Sequence, residues 1–421
     1  MTARPAKTVL VVATFVMLGC AAEETAPAPC YVKEPSSASI CDVLDCNAPQ
    51  GTAPALSEAV TVVPSAAMPA GVVSQHSHNN LDIAWHMGRL FFAFRTAPTH
   101  FASEEVVLYV VSTTDLENFV LETQFTMQKD LREPRFLTLG DRLFLYFARL
   151  GEVTFTFDPE AMMMSEQLDG CIWSEAEEIA PTGEPGFIPW RAREIDGRGQ
   201  LMGYVGGENI YEIGGEGTAV HWLETADGRT FAPVVPGKSA VLTGGTSETD
   251  WARLDDGSLV AVSRNEAGDA EGWGSKICRA APDALGDWEC VADPKKYDSP
   301  LVFRAGSDVY LIGRRQVAND GNYDLGMREL PPEEQAITYQ TAYWETPKRC
   351  ALWKVDPVAL RVDWLMDLPS NGDTCFASNV PLSPKLELVF NYTSPLDDPD
   401  LSWNAGQFGD TFIYRVTLAL P

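Results

Sequence analysis

LFFAF at residues 90–94, two residues after Gly88 and followed by VVLYVVS at 106–112, is the first copy of a pattern that runs the length of the chain. Each copy has an apolar strand, a tight turn bearing Gly or Pro, a second apolar strand and then a third, the mark of antiparallel strands joined by hairpins. The second strands read LFFAF (90–94), LFLYF (143–147), LMGYV (201–205), LVAVS (259–263), VYLIG (309–313) and LELVF (386–390). Their turns centre on Gly88, Gly140, Gly197, Gly257, Gly306 and Pro384, at steps of 52, 57, 60, 49 and 78 residues. The third strands read VVLYVVS (106–112), VTFTF (153–157), TAVHWLE (218–224), KICRA (276–280), ALWKV (351–355) and TFIYRVTL (411–418). Six such units predict an all-β, six-bladed β-propeller with four-stranded antiparallel blades. The sixth unit stops at Pro421 after three strands, and the apolar run 59–63 precedes the first. That run is expected to supply the missing outer strand and close the ring, leaving no open sheet edge.

Composition agrees with a globular body: of 421 residues, 45% are apolar and 21% charged, enough to bury a sizeable core. The formal charge of -28 repels phosphate backbones, so nucleic acid is not expected as a partner. The cations comprise 21 Arg and 10 Lys, a skew towards the planar donor that grips carboxylates two-pronged.

Residues 1–20 read as an export signal: Arg4 and Lys7, an apolar run over 8–18, then Gly19 and Cys20. The run is too short to span a bilayer, and no later stretch reaches eighteen consecutive apolar residues. Met17-Leu18-Gly19-Cys20 resembles a bacterial lipobox, which implies acylation of Cys20 and a lipid-anchored protein of the cell envelope, outside the cytoplasm. Residues 21–56, rich in Ala, Pro, Ser and Glu, read as a tether, and 57–421 as the propeller. The eight cysteines beyond Cys20 are an even set in an oxidising compartment and favour disulfides over metal binding. Three lie in the N-terminal segment, so full pairing requires a bridge from segment to body. No convincing metal-ligand spacing occurs, including among His76, His78, His86 and His100, and no metal or cofactor is expected.

Thr225-Ala226-Asp227-Gly228-Arg229-Thr230-Phe231 resembles the Asp box of the sialidase superfamily; Thr113-Thr114-Asp115 with Phe119, and Ala281-Pro282-Asp283 with Trp288, are further copies. Asp82 ahead of LFFAFR, Asp130-Leu131-Arg132-Glu133-Pro134, Glu248-Thr249-Asp250 and Asp298-Ser299-Pro300 are similar to segments of bacterial sialidase-like proteins. The resemblance runs from about residue 72 to the C-terminus and implies a pocket where the innermost strands begin.

First strands line a propeller's axis, so Asp82, Glu133, Glu248, Asp250 and Asp298 are expected to converge on one cup. Arg95, Arg264, Arg314 and Arg315 end second strands and are the candidates for holding an anionic ligand, because a guanidinium fork matches a carboxylate. The resemblance implies that Arg95, in Phe94-Arg95-Thr96-Ala97-Pro98, serves in an arginine cluster with Arg264 and one of Arg314 or Arg315. It further implies Tyr392 as nucleophile, activated by Glu248 or Glu266, with Asp82 as acid. Arg132-Glu133-Pro134 also resembles the R-D-P motif of propeller furanosidases, which implies Asp82 as base or nucleophile, Glu133 as modulator and Glu248 as proton donor. The insertion at 316–349, with Tyr323, Tyr339, Tyr343 and Trp344, is either a sugar-stacking lid or a cover for the ring's edge. The expectation is a monomer whose cup binds, and as an enzyme hydrolyses, an anionic glycan; the competing class is a non-catalytic glycan-binding or scaffold protein.

Overall fold

The computed structural model describes residues 31–34, 36, 38–47, 51–211 and 217–421. Six antiparallel sheets form the blades, numbered I to VI in chain order. Blade I runs from the axis outwards as Ser77–His86, Arg89–Ala97, Val107–Thr113 and Val120–Phe125. The other inner strands are Asp130–Leu139, Ile188–Ile195, Thr246–Arg253, Asp298–Ala305 and Ser378–Ser383. Val60–Val63 pairs with the C-terminal strand Phe412–Ala419 and closes blade VI, as the unfinished last unit required.

Alternation with period two explains why blades pack on both faces. In the second strand of blade I, Phe92 and Phe94 enter the core shared with blade VI, whereas Phe91 and Ala93 enter the core shared with blade II. The same division gives an apolar core in each interblade space. The axis is plugged: the Arg135 guanidinium of blade II lies 4.8 Å over the Trp190 ring of blade III and 4.4 Å over the Phe376 ring leading into blade VI.

Two of the Asp boxes are locked by their carboxylates. Asp115 accepts the N–H groups of Glu117 at 2.8 Å and Asn118 at 2.7 Å; Asp227 accepts those of Arg229 at 2.8 Å and Thr230 at 2.7 Å. These bonds hold both carboxyls down at about 2. Gly228 must be glycine on two counts, since its φ of +74° is left-handed and a Cβ there would run into the Phe144 ring of blade II. Asp356 locks the corresponding turn of blade V by accepting from Val358 and Ala359, each at 2.9 Å. The turn after Asp283 closes instead on backbone bonds from Ala284 to Ala281 and from Asp287 to Ala284.

The third strand of blade II differs from the sequence reading. It is Pro159–Asp169, and VTFTF at 153–157 is a loop. The N-terminal segment also differs from a free tether where it is described. Tyr31 accepts from Gln167 at 2.8 Å and carries the Arg89 guanidinium 3.8 Å over its ring, while Ile40 is buried in the core between blades VI and I. The segment thus crosses the face opposite the cup. Disulfides join Cys41 to Cys46, Cys278 to Cys290 and Cys350 to Cys375. Cys20, Cys30 and the export signal lie outside the described residues.

One buried carboxyl on this far side gives a stability prediction. Glu387, 1% exposed and bonded to the Asn379 amide at 2.9 Å, is pushed by burial up to about 7. A raised acid favours the folded state below its unfolded value and loses that contribution as pH rises through the folded one. Glu387→Gln is therefore expected to gain on the wild type by roughly 3 kcal/mol between pH 4.5 and 7.5. Urea titrations across that range check it; a constant difference would refute it.

Candidate functional site

The candidate cup, the axial end where the inner strands begin, is built on irregularities in those strands. Pairing shifts register beside Asn80, Glu133, Trp190, Glu248 and Ser299, near the beginning of inner strands I to V. A bulge re-aims a side chain, and here Asn80, Glu133 and Ser299 take left-handed φ values of 47°, 54° and 53°.

Blades I and IV carry the same device. Asn80 accepts the Glu133 N–H at 3.2 Å and Asp82 accepts the Phe136 N–H at 2.7 Å; likewise Glu248 accepts the Ser299 N–H at 2.7 Å and Asp250 the Val302 N–H at 2.6 Å. The aspartates are therefore straps between blades. The other Asp82 oxygen accepts the Ser378 hydroxyl of blade VI at 2.6 Å, and Asp250 is gripped by both nitrogens of the Arg193 fork at 2.5 and 2.8 Å. Both carboxylates that sequence position places at the cup thus also tie neighbouring blades together.

Around the cup two layers are distinct. The side chains of Arg132, Glu133, Glu248, Arg264, Arg314 and His100 keep 7–14% of their surface exposed. Behind them Asp130, Asp298, Glu266, Lys296 and Asp373 are at most 1% exposed. Buried charges require partners, and these are paired throughout. Arg264 meets Glu248 at 2.5 Å, Asp298 at 3.1 Å and Glu266. Arg314 meets Asp298 at 2.9 Å and the Thr374 carbonyl at 2.7 Å. Burial alone raises Asp298, yet Lys296, Arg264 and Arg314 together hold it well below the usual carboxylate range.

Glu133 is the exception. Its nearest cation, Arg135, is 3.6 Å away without a hydrogen bond, and its Oε2 is buried without a hydrogen-bond partner. Burial, assisted by the charge of Glu248 and opposed by Arg135, pushes its carboxyl up to about 7. The cup thus presents one carboxyl able to hold a proton near neutrality and a second, Glu248, paired with a guanidinium.

Other sequence candidates fall elsewhere. Arg95 is fully buried under the cup, bonded to Asp130 at 2.9 Å and to the Phe101 carbonyl at 2.8 Å. Arg315 points outwards to Asp367 at 2.6 Å. Arg315 is thus apart from Arg264 and Arg314, which Asp298 brings together. Tyr392 bonds neither Glu248 nor Glu266: its hydroxyl donates to Asp373 at 2.8 Å, and the other Asp373 oxygen takes His100 Nδ1 at 2.7 Å. Asp373 escaped the sequence reading because it lies in the irregular stretch before inner strand VI; its one signal is a place equivalent to Asp130 and Asp298, which open theirs. The insertion contributes the helix Pro332–Trp344, from which the Tyr343 hydroxyl donates to Asp298 at 2.7 Å. Tyr323, Tyr339 and Tyr343 pack with Trp403 in a core of their own, so these rings buttress the cup instead of facing a sugar.

Comparison with protein-family models gives no match, and neither does comparison with curated protein sequences. Among solved structures, a protein of unknown function from Dyadobacter fermentans is similar at a TM-score of 0.58 and 14% identity, over 88% of this chain and 100% of that one. The Trypanosoma rangeli sialidase in complex with sialic acid is similar at a TM-score of 0.54 and 10% identity, over 88% of this chain. The chain spans only 59% of that sialidase's length. At such identities the likeness is one of architecture, and the chain has a six-bladed propeller of the sialidase-like fold.

Proposed function

We propose that the cup binds a glycan and acts on a glycosidic bond through Glu133 and Glu248. The supporting observation is the contrast between two carboxyls in one cup: Glu133, whose Oε2 is buried without a hydrogen-bond partner and which burial pushes up to about 7, and Glu248, bonded to Arg264 at 2.5 Å and to the Ser299 N–H, two different environments of the kind that assigns an acid and a base. Glu133 donates its proton to the leaving oxygen, and Glu248 serves the sugar's opposite face, as nucleophile or through a water according to their separation. Every arginine of the expected cluster already carries a carboxylate, which favours an uncharged sugar over an anionic one. The lipobox-like Cys20 supports a lipid-anchored protein of the envelope.

A second reading rests on Tyr392 and Asp373, whose 2.8 Å bond supports a tyrosine nucleophile with an aspartate partner. A panel of fluorogenic glycosides, including arabinofuranosides, hexopyranosides and sialosides, separates the two. The carboxyl-pair reading expects turnover of a neutral glycoside that falls by about 10²–10⁴ in Glu248→Gln. Sialoside turnover lost in Tyr392→Phe would establish the second reading. Binding without turnover by any glycoside would place the protein among non-catalytic binders.

A further inference from the structure

At the cup's margin three phenylalanines from three different blades meet in solvent. Phe101 comes from the blade I loop, Phe155 from the blade II loop that the sequence pattern suggested as a strand, and Phe408 from blade VI. Ring centroids lie 4.6 Å apart for Phe101 and Phe155, 4.8 Å for Phe101 and Phe408, and 6.2 Å for Phe155 and Phe408, with planes inclined by 50–61°. Phe155 is 70% and Phe408 54% exposed. Phe155 also has a φ of +68°, a left-handed conformation that is strained for a bulky residue and clusters at functional positions.

The loops are fastened to one another and to the cup. The Thr154 hydroxyl donates to the Ala102 carbonyl at 3.2 Å, and the His100 N–H to the Gln407 carbonyl at 3.2 Å. From below, Arg95 holds the Phe101 carbonyl and Arg132, next to Glu133, holds the His100 carbonyl at 2.7 Å. Arg95 and Arg132 thus preorganise the rim.

We infer that this trio is a platform on which a second sugar residue of the same glycan stacks, so that the ligand is an oligosaccharide whose terminal residue enters the cup. The inference rests on the glycan reading above. With one aromatic side chain burying about 150–250 Å² in full, the two exposed rings offer roughly 250 Å². A stable protein interface needs about 800 Å² per partner, and a phenyl face carries no charge to attract an anion. Continuity with the cup decides for the glycan.

A printed array of neutral glycans of one to six residues tests it, with Phe155→Ala and Phe408→Ala beside the wild type and melting curves confirming their fold. The expected result is wild-type binding about tenfold tighter to a trisaccharide than to its terminal monosaccharide, with that ratio falling towards one in both variants. A ratio near one in the wild type, or one that survives in the variants, overturns the platform and leaves the cup reading standing. No wild-type binding to any glycan overturns the cup reading and this inference with it. Wild-type self-association in sedimentation that disappears in Phe155→Ala assigns the patch to a second copy and also overturns it.

Discussion

Replacing Arg264 with alanine is expected to destabilise the protein by about 3–5 kcal/mol, the usual result of removing one partner from a buried ion pair. Arg264 holds Glu248, Glu266 and Asp298 together from blades IV and V. Its loss leaves Lys296 and Arg314 as the remaining buried cations on Glu266 and Asp298, and leaves Glu248 with the Ser299 N–H alone. The deficit must depend on pH. Asp298, depressed in the folded state, contributes stability that is present above its unfolded value and lost as pH falls. The variant holds that carboxyl down less firmly, so the gap between the two proteins is largest near neutrality and narrows in acid. Urea unfolding at pH 7 and at about pH 2.5, below the usual aspartate value, measures both; equal stability at pH 7 would refute the network. Adding Glu248→Gln to the variant removes the stranded carboxylate and is expected to restore some of the loss.

The blade count was legible because second strands and their turns are local, and all six turns sit between the first and second strands of their blades. The third strand of blade II was not. VTFTF has the β-branched and aromatic alternation of a strand, whereas Pro159–Asp169 carries Met162, Met163 and Met164, unbranched side chains with little β signal. The misread stretch is instead the loop that lifts Phe155 into solvent. At the site, sequence placed Arg95, Arg264 and Arg314 at strand ends but not their partners. Arg95 pairs with Asp130 and Arg264 with Asp298, each in the next blade, and nothing local reports which blade faces which. The same limit hid Asp373, whose partners Tyr392 and His100 come from opposite ends of the chain. Asp82 shows the same limit: nothing local to it reports that the Phe136 N–H of the next blade and the Ser378 hydroxyl of blade VI both bond its carboxylate.

Glu133→Gln is expected to lower turnover of a glycoside with a poor leaving group by about 10²–10⁴ and to abolish the alkaline limb of its pH profile. In the wild type the carboxyl, at about 7, is protonated below neutrality and competent as an acid; above it the proton is lost and turnover should fall tenfold per pH unit. Glutamine has no proton to give, so the limb disappears, and a dinitrophenyl glycoside, whose leaving group needs no protonation, should recover most of the loss. Stability moves the other way. Glu133 in its raised state favours the fold below pH 4.5 and loses that contribution as pH climbs to about 7, so the glutamine variant gains roughly 3 kcal/mol on the wild type over the same interval. The pairing of opposite signs matters, because a purely structural Glu133 would yield the stability change without the leaving-group dependence. An alkaline limb that persists in the variant would assign the acid elsewhere in the cup.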